Sequence, residues 1–520
     1  MESQSKTAQD TQFFSPALRL LIIGLLFITA FGIRLYRINE FPRNLHHGRP
    51  IHSLLVARGY YFEGSKSIPE WRRESARINK ERCATGEPRI IEHVAAFAFR
   101  IAGGEYLWIP RLISSIFWLI GGAFLYLLVK KIASADAALL SIAFYLFLPY
   151  GVSASRALMP HPLMIMMLVL SLFYIFRYYE QQRSMQRLII AAALSSMAML
   201  TYPSASFPVY GAFVALAFYK DGISKAVISP KSLLFVAITV LPVGTYYVYI
   251  FFFGTFLDHH IGVSLMPSIL LRSFFWRGWF NKIDITVGFA AVVSGLFGVF
   301  LFRKGSARAL AIGLWVSYFV YALIFNYHNA THTYYQIVFI PTVAISLGSI
   351  GVLVANRLSK TCDQLHWRVS VLIVIVLALI LSTYRIRQQM FNPNFEREVK
   401  IAKEVGEVVG HSTKTILLTQ FHHLTFKYHG ELSGKSWPSQ GYFRATAMRG
   451  ERRPSAEERF NTQYSKDDPE YFIVTNYREL QIQTDLKNFL VRNFPLLAQN
   501  PNYLIFDLRK SLKTDSRTNN

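Results

Sequence analysis

Apolar runs divided by short polar connections, many of them basic, dominate the chain as far as residue 385. Runs long enough to cross a hydrocarbon core of about 30 Å, which takes roughly 20 helical residues, lie near 17–36, 107–129, 134–153, 158–177, 187–204, 205–220, 232–255, 284–302, 308–326, 334–355 and 368–385. The pattern predicts about eleven transmembrane helices, with the pair around "TYPSASFPVYG" read as a hairpin that barely reaches the far side. The first long connection, 34–106, holds the polar, helix-forming "PEWRRESARINKERCATGEP" and then the apolar "IIEHVAAFAFRIAGG". These read as one or two helices lying on the membrane surface. Beyond 385 the periodicity changes. "TKTILLTQF", "PEYFIVTN" and "NYLIFDLRK" have strand character, and "YRELQIQTDLKNFLVRNF" has helical apolar spacing. The expected architecture is mainly α, with a polytopic membrane domain over 1–385 and a soluble α/β domain over 386–520.

Charge orients this arrangement. The net charge of +24 is spread in short clusters between apolar runs instead of forming one basic face, so it speaks for membrane topology and against a nucleic-acid partner. Alternate connections carry Lys130 and Lys131; Arg177, Arg183 and Arg187; Lys220, Lys225 and Lys231; Arg303, Lys304 and Arg308; Arg357, Lys360 and Arg368. The intervening connections, "GVSASRALMPHP", "TYPSASF" and "NYHNATHT", are nearly bare. Lys and Arg in short loops stay cytoplasmic. The N-terminus is therefore expected inside, and the 34–106 loop, the 256–283 loop and the C-terminal domain outside. Hydrophobic residues at 52% and a mean hydropathy of +0.27 agree. The N-terminal stretch lacks a small-residue cleavage site, so the first helix is expected to stay as an anchor. Cys83 and Cys362 fall on opposite sides in this topology, so no internal disulfide is expected. Within the 256–283 loop, "LLRSFFWRGWFNKI" reads first as an interfacial aromatic belt.

Ionisable residues at the membrane plane are costly unless paired or hydrated, which makes them functional candidates. On the outer side these are His46, His47, Arg49, Arg58, Glu87, Glu92 and His93 of the first loop, Arg156 and His161 of "SRALMPHPLM", and His328, His332, Tyr334 and Tyr335 of "NYHNATHTYYQ". Arg49, Arg58, Arg156, His46, His332, Tyr334 and Tyr335 form a candidate phosphate-binding set, because guanidinium grips phosphate oxygens in a fork. The bland alternative for each Arg is contact with ordinary lipid headgroups. The histidines raise the question of a metal, yet adjacent His46 and His47 point apart and no HxxxH or HExxH spacing occurs on an expected helix. The spacing supports no metal ligands and no cofactor. A GxSxG elbow and a Gly-rich phosphate loop are also missing.

In order along the chain, "IRLYRINEFP", "LLVARGYYFE", "PEWRRE", "GGEYLWIPRLISSIFWLIGGAFLYLLVKKIAS", "FYLFLPYGVSASRALMPHPLM", "THTYYQIVFIP", "YHG" and "YLIFDLR" resemble the GT-C superfamily of membrane glycosyltransferases. The likeness is to bacterial relatives of protein O-mannosyltransferases and aminoarabinose lipid A transferases. It implies a polyprenyl-phosphate sugar donor, a lipid, glycan or protein acceptor on the outer face, and inversion at the anomeric centre. It further implies an acid in the first outer loop as base, and basic residues on the leaving phosphate.

The chain departs from that pattern where it matters. A "DxHxxRQ"-like motif is expected where the chain reads Asn44, Leu45, His46, His47, Gly48, Arg49 and Pro50. His161 and Thr333 stand where the resemblance implies Asp, and Tyr202 where it implies Lys. Deprotonating a hydroxyl needs a base within hydrogen-bond reach. Either Glu92 or Glu87 has taken that role, or His161 has, its neutral form being well populated near pH 7. The remaining alternative is a relative that has lost catalysis and binds lipid phosphate or serves as a subunit of a membrane complex. A transporter is disfavoured, because charged residues do not recur inside the expected spans.

Overall fold

The computed structural model describes residues 13–40, 48–83, 86–180, 183–253, 266–361, 394–419, 423–448 and 450–512, with scattered residues between 369 and 387. His46 and His47, Asn44 and Cys362 lie outside the described residues. The first twelve helices are α1 (Pro16–Leu35), α2 (Gly48–Phe62), α3 (Glu70–Arg82), α4 (Ile90–Ala102), α5 (Trp108–Ile132), α6 (Ala137–Phe147), α7 (Pro149–Ala154), α8 (Pro160–Glu180), α9 (Met185–Thr201), α10 (Ser206–Asp221), α11 (Ile223–Ile228) and α12 (Pro230–Phe253). The chain divides into two compact units. One comprises Met1–Leu45, Thr85–Ile91 and Tyr106–Phe391; the other comprises His46–Ala84, Glu92–Glu105 and Asn392–Asn520.

The first unit is a helical membrane body. Among the described residues six helical segments are long and apolar enough to span a bilayer: α1, α5, α8, α12, Ser306–Ile324 and Thr333–Arg357. This is a multi-pass membrane protein. The expected run at 134–153 breaks into α6 and α7 at Leu148, whose ψ of 120° is not helical. Pro149 follows, and proline excludes the α region from the residue before it. The run at 284–302 is likewise part of a bent pair, Ser273–Thr286 and Phe289–Leu301, which meet at 91°. Gly288 supplies the bend with φ of 87°.

Two contacts show how tightly this body packs. Trp118 and Tyr145 stack at 4.7 Å, and each donates to the other's backbone carbonyl. α10 and Ser306–Ile324 cross at glycines, where a Cβ on Gly211 would sit 2.5 Å from the Gly313 carbonyl. Small residues at such crossings let backbones approach where apolar solvent gives helices no hydrophobic drive to associate. The aromatic segment Ser273–Thr286 buries Phe275 and Trp279 while Trp276 and Phe280 stay exposed. The Trp279 indole N–H donates to the Tyr318 hydroxyl at 3.1 Å. Its inner face is therefore core, and only its outer face has the character of a belt.

The second unit is α/β. Five strands, β1 (Thr415–Leu418), β2 (Gly434–Ser436), β3 (Tyr471–Val474), β4 (Leu496–Asn500) and β5 (Tyr503–Asp507), lie in the order β2-β1-β3-β5-β4. β1 pairs parallel with β2 and β3; β5 pairs antiparallel with β3 and β4. Alternation along β1 sends Leu417 to one face, against Ala402, Val405 and Phe426, and Ile416 and Leu418 to the other, against Leu480, Leu486 and Leu490.

Residues of the first long loop belong to this same unit. α3 buries Ser75, Ala76 and Asn79. The Ser75 hydroxyl donates to the Glu431 carbonyl at 2.9 Å, and the Asn79 amide to the Leu432 carbonyl at 3.0 Å. Arg72 pairs with Glu431, and Trp71 stacks on His411 at 4.4 Å. α3 has almost no apolar face, so polar bonds to the 431–432 backbone take the place of hydrophobic burial.

Candidate functional site

The expected site residues fall in both units. In the helical unit, α8 begins at Pro160 and brings His161 into the core at 1% exposed. Its ring lies 4.4 Å from Tyr202 and 5.5 Å from Tyr334. Tyr334 contacts His332 and Tyr335, and Tyr335 stacks on His328 at 4.8 Å. His161, His332, Tyr334 and Tyr335 are thus gathered into one imidazole and phenol cluster, joined by Tyr202 and His328. Thr333 sits at its edge and receives a hydrogen bond from the Tyr150 hydroxyl at 3.0 Å. Such a cluster offers several imidazole and phenol donors and acceptors. Among the described residues no group of three His, Cys, Asp or Glu side chains is placed to hold a metal ion.

Arg156 belongs to a second arrangement of this unit, which the sequence reading missed in part. Its guanidinium donates to the Tyr36 carbonyl. Arg111, near the start of α5, donates to the Arg156 carbonyl at 3.2 Å and to the carbonyls of Arg37, Ile38 and Glu40. Arg34 donates to Ser155 Oγ at 2.8 Å and to the carbonyls of Ala30 and Leu146. Three guanidinium groups thus stitch the 34–40 segment to the 155–156 turn. Glu40 pairs with Arg37 at 2.6 Å and adds a carboxylate to the segment. The missed signal was an Arg inside an apolar run, Arg34 in "FGIRLYR" and Arg111 in "WIPRLISS", which has to find polar partners. Glu87 lies in the same unit, 8% exposed.

In the mixed unit, Arg58 is buried among partners of its own. Its Nε donates to both Glu105 oxygens, at 3.1 and 2.9 Å, its Nη1 donates to the Tyr428 carbonyl at 2.7 Å, and its guanidinium lies 3.7 Å from the Tyr428 ring centre. The Tyr428 hydroxyl closes the ring by donating to Glu105 at 2.6 Å. Burial opposes the Arg58 charge, but Glu105 and Tyr428 outweigh it and hold the group more firmly protonated than usual. His429 beside them is pushed down to about 3 by burial and by the Arg58 and Lys403 charges. Arg49 lies 3.5 Å from the His52 ring. Glu92 is 2% exposed and accepts a 2.6 Å bond from the Ser53 hydroxyl. Ser53 was not anticipated, because nothing in the sequence shows that α2 and α4 face each other.

Residues 87–247 match a family described as dolichyl-phosphate-mannose-protein mannosyltransferase. No curated protein matches the sequence. The fold is similar to that of ArnT from Cupriavidus metallidurans bound to undecaprenyl phosphate, at TM-score 0.57 and 13% identity over 95% of this chain and 98% of that one. It is also similar to the oligosaccharyltransferase AglB from Archaeoglobus fulgidus in complex with an inhibitory peptide and a dolichol-phosphate, at 0.54 and 13% over 93% and 73%. A third likeness is to the arabinofuranosyltransferase AftD from Mycobacteria, at 0.52 and 12% over 96% and 40%. At these identities the likeness is one of fold.

Proposed function

The chain carries the GT-C fold, and from it we propose an inverting glycosyltransferase that takes a sugar from a polyprenyl-phosphate donor to an acceptor on the outer face of the bacterial inner membrane. In this reading the N-terminus is cytoplasmic and the C-terminal α/β domain extracytoplasmic. The observation that carries it is the fold likeness along 95% of the chain to a structure holding undecaprenyl phosphate.

The arginines of the helical unit support it. The hydrogen bonds of Arg34 and Arg111 among the described residues run to carbonyls and one hydroxyl, and the Arg156 guanidinium donates to the Tyr36 carbonyl. Neutral acceptors orient a guanidinium without cancelling its charge, and the one carboxylate of the segment, Glu40, offsets only part of the positive charge gathered there. A departing phosphate is stabilised by cations already in place, and Arg156 is assigned to it. Glu92 is assigned as base, with the Ser53 hydroxyl fixing one carboxylate oxygen so that the other can take the acceptor proton. Glu87 and His161 are the rival bases.

A second reading, a relative that binds lipid phosphate without transfer, is favoured by one observation. Two positions where the family resemblance implies Asp hold His161, packed against Tyr202 and Tyr334, and Thr333, bonded to Tyr150. Incubating the full-length protein with labelled polyprenyl-phosphate sugars and a native membrane extract separates the two. Transfer, lost at least about 100-fold in Glu92→Gln, is the expected result. An unchanged rate in that variant moves the base to Glu87 or His161, each tested the same way. Donor binding that weakens in Arg156→Ala, with no transfer by the wild-type protein, establishes the second reading.

A further inference from the structure

A cavity of about 220 Å³ lies in the helical unit where the last turns of α8 and α10 meet α11 and the start of α12. Its wall includes Arg183, Lys225, Lys231, Asp221, Ser229 and Tyr179. Three cations face one carboxylate, which leaves two positive charges in excess. Arg183 is committed to Asp221 at 2.7 Å and lies over the Tyr179 ring at 5.3 Å. Among the described residues neither Lys225 nor Lys231 makes an ion pair. The Ser229 hydroxyl donates to Ser232 Oγ at 2.8 Å and adds a polar floor.

Both α8 and α12 qualify as membrane spans by length and composition, so a cavity at the end of one and the start of the other is expected at headgroup depth. It is smaller than the roughly 300–1,000 Å³ of pockets for drug-sized ligands, which suits a headgroup and not a sugar nucleotide. A basic pocket between span ends is the arrangement that holds anionic lipid headgroups, and each Lys or Arg near the surface contributes about 1 kcal/mol to that attraction.

We propose that this cavity is a binding site for a phosphate group, that of an anionic phospholipid, held by Lys225 and Lys231 with Arg183 fixed between Asp221 and Tyr179. The site has no part in the donor chemistry proposed above, and its test does not depend on transfer. Binding of phosphatidylglycerol and of phosphatidylcholine is measured on the full-length protein in detergent, with inorganic phosphate as a separate arm. The comparison variants are Lys225→Gln with Lys231→Gln, and Arg303→Gln with Lys304→Gln, which remove equal charge outside the cavity.

The expected result is preferential binding of phosphatidylglycerol, weakened roughly 30-fold by the first pair, as follows from the loss of two lysines, and less than about twofold by the second. Equal weakening by both pairs, or no preference for the anionic lipid, overturns the proposal. Displacement of phosphatidylglycerol by inorganic phosphate at equal concentration assigns the cavity to the free anion and overturns the lipid reading. Unfolding temperature without lipid is followed alongside, and Lys225→Arg with Lys231→Arg, which keeps the charge, must retain binding.

Discussion

Arginine does different work in the two units. In the helical unit Arg34 and Arg111 end on backbone carbonyls and a serine hydroxyl, and the Arg156 guanidinium on the Tyr36 carbonyl. In the mixed unit Arg58, Arg72, Arg73 and Arg77 end on Glu105, Glu431, Glu70 and Glu74. A carbonyl acceptor positions a guanidinium and leaves its positive field intact, whereas a carboxylate neutralises it. The first kind can still attract a phosphate; the second can stabilise a fold. The helical unit does pair charges elsewhere, as Arg19 with Asp136 at 2.8 Å and Lys220 with Glu180 at 2.7 Å. The difference is one of emphasis: the 34–40 segment also pairs Arg37 with Glu40, and in the mixed unit Arg100 ends on the Tyr60 carbonyl.

The largest expected effect tests the carboxylate kind. Arg58→Ala leaves the half-buried Glu105 with only the Tyr428 hydroxyl, and since breaking a buried pair from one side costs about 3–5 kcal/mol, the loss here should approach the lower end of that range. Denaturant-induced loss of protease protection over 394–512 should shift by that amount. Arg58→Met with Glu105→Leu should recover most of the loss, since well-packed apolar side chains replace such pairs at little cost. No recovery would show that the Tyr428 contacts dominate.

Next comes the carbonyl kind. Arg111→Ala releases the carbonyls of Arg37, Ile38, Glu40 and Arg156 and should cost about 1–3 kcal/mol, read as faster amide exchange over 34–40 with no change over 394–512. Arg111→Lys should rescue little, because one ammonium cannot fork across these acceptors. Exchange that rises equally in both units would break the distinction.

A third test uses pH. Burial raises the Glu398 carboxyl to about 7, against an ordinary value of 4.5, while nearby Thr425 pulls the other way. The folded state holds this proton more tightly than the unfolded one. Its contribution is therefore fully present below about 4.5 and is lost as pH rises through 7. Glu398→Gln should gain on wild type by about 2 kcal/mol between pH 5 and 8, read by unfolding of the 394–512 region. His429, depressed to about 3, acts with the opposite sign and costs stability as pH falls below 6.5. The smallest effect is expected of Arg77→Ala. That side chain is half-exposed and pairs with Glu74 and Glu81 on its own helix, and unfolding should not change measurably.

Much of the fold was legible in the apolar pattern. The runs at 17–36, 107–129 and 158–177 became α1, α5 and α8, because lipid requires each span to satisfy its own backbone. Strands β1, β3 and β5 stood out through their central, doubly covered runs. β2 and β4 did not: "GKS" is short and polar, and Leu496 and Leu497 of β4 are exposed. "YRELQIQTDLKNFLVRNF", with its helical apolar spacing, folds as two helices, Tyr477–Ile482 and Thr484–Asn493, parted at Gln483.

Of the candidate site, residue types were readable and partners were not. The sequence by itself determined a basic, multi-pass chain with a mixed C-terminal segment, because span length and loop charge are local properties. Only tertiary structure decided that Arg58 meets Glu105, that Glu92 meets Ser53, and that Arg111 closes on the 37–40 carbonyls. Each joins residues 39 to 74 positions apart, and such pairings follow from helix packing, which leaves no periodic trace along the chain.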